Sequence, residues 1–139
     1  MHDTQGTYRQ SASASDWFNY ASRYVGCNHQ IHCLLQFERH LDEGLLRQAA
    51  RSLVEAEPVL GCRFVEDFRG PYWEQRDDLD EIEFCAVEET RHVERSLHAY
   101  VNRPVDSYRD PQLQMRIFRT PSEDLLCIKM TMPAATPAG

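Results

Sequence analysis

The sequence predicts an α/β domain in which a mixed β-sheet carries two packed helices. Three observations lead to this prediction. Short segments in which apolar and polar residues alternate, as they do in strands, recur along the chain. Two longer segments repeat their apolar residues at helical spacing. The segments follow in the order β-α-β-β-β-α-β-β, and helices placed between strands favour a mixed sheet covered by helices.

The first strand is predicted over residues 28–37, where apolar and polar side chains alternate with one exception at Leu34. This pattern is typical of a half-buried strand. A helix follows, which begins after the N-cap residue Asp42 and ends before Pro58, because proline disfavours helical geometry in the residue ahead of it. The predicted inner face of this helix holds Leu46, Ala49, Ala50, Leu53 and Val54.

A β-hairpin is predicted next, from a strand at 60–68, a turn at 69–71 and a return strand at 72–75. The turn contains Arg, Gly and Pro, which commonly end strands. Residues 76–81 are charged and read as a loop. Another strand is predicted over residues 82–86 from the alternation of Ile, Phe and Ala.

The second helix is predicted to be capped by Thr90 and to be broken at Pro104. Two strands at 113–117 and 125–130 then follow, joined by a turn at 120–124. The last strand is a nearly continuous apolar run, which is typical of a strand covered on both faces. The apolar face of the helix holds Val93, Leu97, Tyr100 and Val101.

Nine residues on the inward phase of these elements are predicted to form the core. Burying such side chains is worth ~1.5–3 kcal/mol each. They are Leu46, Leu53, Phe64, Phe84, Leu97, Met115, Ile117, Leu126 and Ile128.

Composition predicts one globular domain, because 42% hydrophobic and 27% charged residues are ordinary proportions for a folded chain of 139 residues. The net charge of −7 and the interleaved basic residues argue against nucleic acid or anionic membrane as partners. Neither a secretory signal nor an apolar run that could span a bilayer is present, so we expect a cytoplasmic protein. Residues 1–15 are polar and are predicted to be a disordered lead-in to a domain that begins at residue 16.

No metal site is predicted, although Cys27, His29, His32 and Cys33 lie close together in the sequence. In an extended strand Cys27 and Cys33 are about 20 Å apart, and His32 points to the face opposite His29 and Cys33. Four ligands cannot converge on one ion in that geometry. The five cysteines are an odd number without paired spacing, so we expect reduced thiols, four of them as apolar fillers in strands.

Other polar groups also have a simple structural interpretation. On the second predicted helix, His92 and His98 are about 240° apart around the axis and cannot act together. Glu88 with His92 and Glu94 with His98 are predicted to be surface pairs. The acidic residues at 77–83 lack the glycine turn of a calcium loop and are expected to be solvated. From residue chemistry alone, no catalytic, cofactor-binding or metal-binding residue is predicted.

Four stretches resemble the condensation domain family of acyltransferases, whose fold is that of chloramphenicol acetyltransferase. Residues 37–49 are similar to its first strand and the "LD…L..A" start of the next helix. Residues 53–64 resemble the "L…HP.LR..F" junction, with Glu and Gly in place of the family's His and Arg. Residues 103–113 resemble the "PFD…PL" passage. Residues 125–130 resemble the strand that delivers the "HHxxxDG" catalytic loop.

The resemblance implies that residues 16–130 are the N-terminal half of such a domain, one lobe of a two-lobe fold. The family, which includes domains of nonribosomal peptide synthesis, transfers an acyl group from a thioester on a carrier protein or coenzyme A to an amine or alcohol. The second histidine of its loop accepts the proton of the attacking group. Thr131 and Met132 stand at that place, and no histidine or aspartate follows within 131–139. No catalytic residue is therefore carried over, no cofactor is implied, and the chain is expected to be inactive alone.

Two hypotheses about the chain remain open on the sequence. If the codons of residues 131–137 are read one nucleotide out of register, they are compatible with H-H-A-x-x-D-A, a loop of the expected kind. The simpler alternative is a divergent terminus, and the DNA downstream of codon 130 decides between the two. Alternatively, the chain is a non-catalytic interaction module that pairs with a complementary lobe or with itself. A fragment should leave a large apolar sheet surface uncovered, whereas an evolved module should blunt its exposed edge.

Overall fold

The computed structural model describes residues 9–11, 30–106 and 108–131, and within these residues it contains two β-sheets and two α-helices. The sheet that the sequence predicts as one is thus divided in two. Parts of three predictions lie outside the described residues: most of the lead-in at 1–15, the first two residues of the strand at 28–37, and nearly all of the tail at 131–139. None of the described helices is long and apolar enough to cross a membrane.

The larger sheet has four strands in the order β2-β7-β6-β5. Strands β5 and β6 are parallel, while β6 with β7 and β7 with β2 are antiparallel, so the predicted mixed sheet is confirmed. Strand β7 lies in the middle, and all of its residues are buried or half-buried, as its continuous apolar run predicts. The four strands are β2 Gln30–Phe37, β5 Cys85–Glu89, β6 Leu113–Arg119 and β7 Asp124–Thr131.

The smaller sheet is antiparallel and has the strand order β1-β4-β3, in which β1 is Arg9–Ser11, β3 is Cys62–Val65 and β4 is Tyr72–Gln75. The predicted hairpin is confirmed, but it forms this separate sheet because its outer partner is β1. The prediction of a disordered lead-in is therefore wrong at the three residues of β1, whose backbone pairs with β4. Phe64 and Trp73 pack edge to face at the centre of this sheet, with ring centroids 5.0 Å apart.

Helix α1 is Glu43–Ala56, and its ends are those predicted. Asp42 Oδ1 accepts a hydrogen bond from Leu45 N at 3.2 Å, which satisfies one of the free amides of the first turn. The chain leaves the α-helix ahead of Pro58, where a short 3-10 turn Pro58–Gly61 leads into β3. Proline at the start of that turn loses no hydrogen bond, because the first amides of a helix have no internal partner.

The burial of α1 differs from the prediction on one side. Ala50 and Val54 are buried, but Ala49 is exposed and Leu53 is 39% exposed, so the prediction of Leu53 as a core residue is wrong. The helix lies towards β5, where Arg47 Nε donates a hydrogen bond to Cys85 O at 3.1 Å. The side of α1 that carries Leu53 therefore faces away from β5, and Leu53 stays partly exposed.

Helix α2 is Val93–Asn102 and ends before Pro104, as predicted. The predicted cap is misplaced, because His92 is the N-cap residue. Thr90 lies three residues before the helix begins, and its Oγ1 accepts a hydrogen bond from His92 N at 3.0 Å. Glu88 lies in β5 rather than on a helix. It pairs with Arg116 on β6 at 3.0 Å, so its predicted pairing with His92 is wrong.

Most of the predicted core is confirmed. Buried apolar residues form one cluster between α1 and the larger sheet and another between α2 and the opposite face. Of the nine predicted residues, five are fully buried and three are half-buried against these clusters. The buried five are Phe64, Phe84, Met115, Ile117 and Leu126, and the half-buried three are Leu46, Leu97 and Ile128.

Strand β2 is far more exposed than the half-buried strand that its alternation predicts. Ile31 and Leu35 are 40% and 43% exposed, and Leu34, on the other face, is 48% exposed. The phase of the strand is as predicted, because Ile31 and Leu35 lie beside Met130 and Leu126 on the α1 side of the sheet. The burial is wrong because β2 is an edge strand in the described sheet and neither helix extends over it.

A buried ion pair joins the β6–β7 turn to the segment between β2 and α1. Asp124 is 0% exposed, and its carboxylate accepts two hydrogen bonds from Arg119, each 2.9 Å long. The same carboxylate accepts from Leu41 N at 2.7 Å, while Arg119 Nη2 donates to Leu41 O at 2.8 Å. Burial alone would raise the pKa of Asp124, but the hydrogen bonds from Arg119 and Leu41 outweigh it and hold that pKa below its ordinary value.

We expect Asp124→Asn to lower the free energy of unfolding by about 2 to 3 kcal/mol at pH 7, because it leaves Arg119 without its buried partner. The matched control is Glu123→Gln, which removes the charge of the neighbouring half-buried carboxylate and keeps an oxygen for the hydrogen bond from Gln36, so it should cost less than about 0.5 kcal/mol. A carboxyl group with a lowered pKa stabilises the fold above its unfolded pKa, and this contribution is lost as pH falls. In urea titrations from pH 7 to pH 3, the free energy of unfolding of the unaltered chain should therefore approach that of Asp124→Asn. A difference between the two that is equal at all pH values would contradict this account.

Candidate functional site

The C-terminal end of β7 is the place where the resemblance puts the catalytic loop, and Thr131 is the last residue described there. Its side chain is buried. Thr131 N donates to Gln112 O at 3.1 Å, and Thr131 Oγ1 donates to Gln112 Oε1, also at 3.1 Å. The hydroxyl is therefore occupied by a structural hydrogen bond and points into the protein.

Gln112 joins three parts of the chain at this end of the sheet. It is buried, and its Nε2 donates to Val59 O and to Cys62 O, the second at 2.8 Å. Its Oε1 accepts from Thr131, so both ends of the amide have partners. The side chain thus links the end of β7 to the 3-10 turn and to the start of β3. A buried amide with all of these partners fixes a position and leaves no group free for chemistry.

Lys129 is a buried cation two residues before Thr131. Its Nζ donates to Tyr100 O and Arg103 O, both at 2.9 Å, and lies 4.5 Å from the centre of the Tyr100 ring. Both acceptors are carbonyls at the end of α2, where a helix has unpaired carbonyls and partial negative charge. Lys129 therefore ties β7 to α2 from inside the protein.

Burial lowers the pKa of Lys129 from 10.5 to about 8, and the positive charge of Arg103 adds to the effect. Burial likewise raises the pKa of Tyr100. Neither group reaches open solvent, so their shifted pKa values reflect packing and give no free acid or base. A perturbed pKa suggests a functional site only where the group faces a cleft.

His32 is the described histidine nearest to the end of β7, since it pairs across the strands with Lys129. Its ring is exposed, and Nε2 donates to Gln30 Oε1 at 3.0 Å. Desolvation, with a smaller contribution from Lys129, lowers the pKa of His32 from its ordinary value, which favours the neutral ring. It is therefore a possible proton acceptor, but it stands on an open strand surface.

The cysteines follow the predicted strand pattern with one exception. Cys62, Cys85 and Cys127 are free and buried, whereas Cys33 is free but exposed, so its predicted role as a core filler is wrong. Burial raises the pKa of the Cys62 thiol to about 12, which makes it unreactive near neutral pH. The described residues contain no group of three or more potential ligands that could hold a metal ion. Cys27 and His29 lie outside them.

A hollow that the sequence did not suggest lies at the opposite end of the sheet, beside the β6–β7 turn. It has a volume of about 340 Å³ and includes His40, whose Nε2 donates to Thr120 O at 2.8 Å. The seven residues of β6 separate the two ends, a distance of about 23 Å at roughly 3.3 Å per residue. The hollow is therefore distinct from the place of the catalytic loop. It is lined by His40, Glu89, Thr90, Arg91, Arg119, Thr120 and Pro121.

No protein-family model and no curated protein matches this sequence. Solved structures do match it. The tallysomycin biosynthesis protein TlmII is 21% identical with a TM-score of 0.65, over 89% of this chain and 31% of that chain. The starter condensation domain of rhizomide synthetase RzmA is 10% identical with a TM-score of 0.71, over 91% and 34%. The epimerization domain from the third module of tyrocidine synthetase B is 19% identical with a TM-score of 0.71, over 94% and 31%.

The fold is therefore that of one part of the condensation and epimerization domains, and the predicted fold class is confirmed. The mixed sheet with its two helices corresponds to one lobe of the similar structures. The chain spans about a third of their length, rather than the half that the sequence comparison implied. At identities this low the similarity concerns the fold.

We expect the pH dependence of stability to report the buried Lys129. Its folded pKa is lower than its unfolded one, so above pH 8 the folded chain has released a proton that the unfolded chain still holds, and stability rises with pH. Between pH 7 and pH 9 this should add about 1 kcal/mol. In urea titrations, the difference in unfolding free energy between the unaltered chain and Lys129→Met should change by that amount. The raised pKa of Cys62 lowers stability above pH 9, but it does so equally in both proteins and cancels in the difference. A difference in unfolding free energy that does not change with pH would contradict the lowered pKa of Lys129.

Proposed function

We propose that this chain is one lobe of a condensation-type acyltransferase domain and that it does not catalyse acyl transfer by itself. The fold supports the first part, since about nine-tenths of the chain aligns with condensation and epimerization domains. The order of the motif-like stretches along residues 37–130 supports it independently. The share of about one third of each similar chain supports the second part, because a complete domain needs the remaining two thirds.

The reaction proposed for the complete domain is attack of an amine or hydroxyl on an acyl thioester. The new C–N or C–O bond forms as the C–S bond breaks, and a base accepts the proton of the attacking group. One similar structure is a mutant starter condensation domain of RzmA in complex with C8-CoA, which makes an acyl thioester on coenzyme A or a carrier protein the class of donor to test.

The observation that carries the proposal of inactivity is the contact between Thr131 and Gln112. In a complete domain a histidine would follow the end of β7, but here the buried Thr131 hydroxyl donates to an amide. A threonine hydroxyl cannot accept a proton near pH 7. Proximity between donor, acceptor and base supplies much of the rate of acyl transfer, and it requires a second lobe to hold them.

A second candidate function is an interaction module that pairs with a complementary lobe or with a second copy. It is favoured by β2, which lies at an edge of the described sheet. The strand Gln30–Phe37 contains no charged residue and no proline, although these are the usual means of protecting an edge from pairing. Leu34, on the α2 face of this strand, is 48% exposed. An unprotected apolar edge strand is a template for another strand.

We expect the purified chain to show no acyl transfer above the buffer rate from octanoyl-CoA or an octanoylated carrier protein to amine and alcohol acceptors, measured by chromatography of the acylated product. Thr131→Ala and His32→Ala serve as matched variants. Turnover that a core substitution such as Trp73→Ala abolishes and Thr131→Ala leaves unchanged would contradict the proposal. If His32→Ala also abolished that turnover, the catalytic group would lie on β2.

For the second candidate, we expect sedimentation of the unaltered chain to show concentration-dependent self-association that Leu34→Lys weakens. The charged ammonium would have to be desolvated if β2 paired with another strand along this face. Glu38→Lys, next to the strand but outside it, is the control for the added positive charge. Monomeric behaviour of both variants and of the unaltered chain would remove self-association as a function.

A further inference from the structure

The tip of the β3–β4 hairpin presents an aromatic ring to solvent. Phe68 is 93% exposed, more than any other large apolar side chain in the described part of the chain. Its ring therefore contributes almost nothing to the folded core. Aromatic side chains are enriched where proteins contact one another, because a rigid ring buries much apolar area when it enters a pocket.

The hairpin tip is held in one conformation. Gly70 N donates to Asp67 O at 2.9 Å, and Arg69 N donates to Asp67 Oδ1 at 3.0 Å, so Phe68 and Arg69 occupy the central positions of a β-turn. Gly70 has a φ of 122°, which residues with a side chain rarely adopt. Arg69 Cζ lies 5.2 Å from the centre of the Phe68 ring. A ring on an ordered turn can be bound without the entropic cost of ordering a loop.

Charged side chains flank the ring. Glu66 and Asp67 precede Phe68 in the sequence, and Arg69 follows it. None of these three charged residues forms an ion pair with another described residue. The tip thus has a negative side and a positive side, with the ring between them.

The hollow beside the β6–β7 turn is large enough for this ring. Its volume is about 340 Å³, whereas a cavity of about 150 Å³ is sufficient to bind benzene. The rings of His40 and Pro121 and the guanidinium groups of Arg91 and Arg119 are among the groups that line it. Planar guanidinium groups and rings are surfaces on which a phenyl ring stacks.

The hollow also contains charges of both signs. Arg119 is neutralised by Asp124, which leaves Glu89 and Arg91 as an acid and a base at its border. Both side chains are exposed, and neither takes part in an ion pair in the described chain. The hollow therefore offers a positive and a negative group to a ligand that carries the opposite pair.

We propose that the hairpin tip of one copy of this chain inserts Phe68 into the hollow of a second copy. Asp67 and Arg69 are two residues apart, as are Glu89 and Arg91, so the inserted tip places Arg69 beside Glu89 and Asp67 beside Arg91. Attraction within these two pairs orients the tip as the ring enters. In a single chain the Phe68 ring is exposed, so the tip does not occupy its own hollow.

The contact joins two different surfaces and is therefore heterologous. Each bound copy retains one free tip or one free hollow, so further copies add head to tail. A single aromatic anchor buries a small area, which makes the contact weak and dependent on concentration. It involves no residue of β2 and does not depend on the acyltransferase assignment, so the three proposals can fail separately.

A mixing experiment tests the contact directly. Phe68→Ser removes the ring and leaves the hollow intact, whereas Arg91→Glu keeps the tip and places a second carboxylate in the hollow. We expect sedimentation equilibrium of the unaltered chain, at about 0.1 to 1 mM, to show assemblies that grow with concentration. Either variant alone should associate at least about tenfold more weakly. An equimolar mixture should regain association, but only as 1:1 dimers, because the tip of Arg91→Glu fits the hollow of Phe68→Ser.

Matched variants separate this contact from other causes. Arg95→Glu makes the same change of charge in the first turn of α2, outside the hollow, and should leave association unchanged. Phe68→Tyr keeps the aromatic ring and should retain association. Because Phe68 and Arg91 are exposed, all of these variants should unfold at the same urea concentration as the unaltered chain.

Three results would overturn the proposal. The first is an unaltered chain that stays monomeric over this concentration range. The second is association that Phe68→Ser leaves as strong as before, including the case in which only Leu34→Lys weakens it and β2 is the contact. The third is loss of association in both variants without recovery in the mixture, because the ring and the hollow would then not be partners.

Discussion

The buried pair of Asp124 and Arg119 is the interaction on which the arrangement of this lobe depends. It does more than close the β6–β7 turn, because the same two side chains hold both backbone groups of Leu41. Leu41 lies where the chain has left β2 and is about to enter α1. The pair therefore fixes where the chain crosses from the edge strand, and with it the position of α1 towards β5.

The polar groups at the two ends of the sheet are arranged differently. At the β6–β7 turn the polar groups are organised around Asp124 and border an open hollow. At the end of β7 the polar groups form hydrogen bonds inside the protein. Thr131 bonds to Gln112, and Lys129 bonds to carbonyl groups at the end of α2. At this end Thr131, Gln112 and Lys129 are thus all held in structural hydrogen bonds. This is the physical basis for proposing a lobe that organises a site without containing its reactive group.

Periodicity and caps predicted α1 and β7 well, because the α1 boundaries depend on Asp42 and Pro58 and the β7 strand on its own composition. They were less accurate for β5, which begins at Cys85 and not at residue 82. Burial was predicted less well, because it depends on neighbours that the local sequence does not specify. Leu53 has the right helical spacing but lies on the side of α1 that faces away from β5, and β2 alternates correctly but lies at an edge. The structural role of Gln112 gave no local signal either. A polar residue in an apolar strand, such as Lys129 between Ile128 and Met130, is the one hint of a buried partner.

Amide hydrogen exchange at Leu41 tests the central role of the Asp124–Arg119 pair most directly. Leu41 lies between β2 and α1, outside any helix or strand, and in an ordinary loop its amide would exchange at nearly the solvent rate. Its donation to a fully buried carboxylate predicts instead an exchange as slow as that of amides in the middle of β7, such as Cys127, and much faster exchange in Asp124→Asn. Exchange of Leu41 in the unaltered chain as fast as that of the exposed Glu38 would contradict the account.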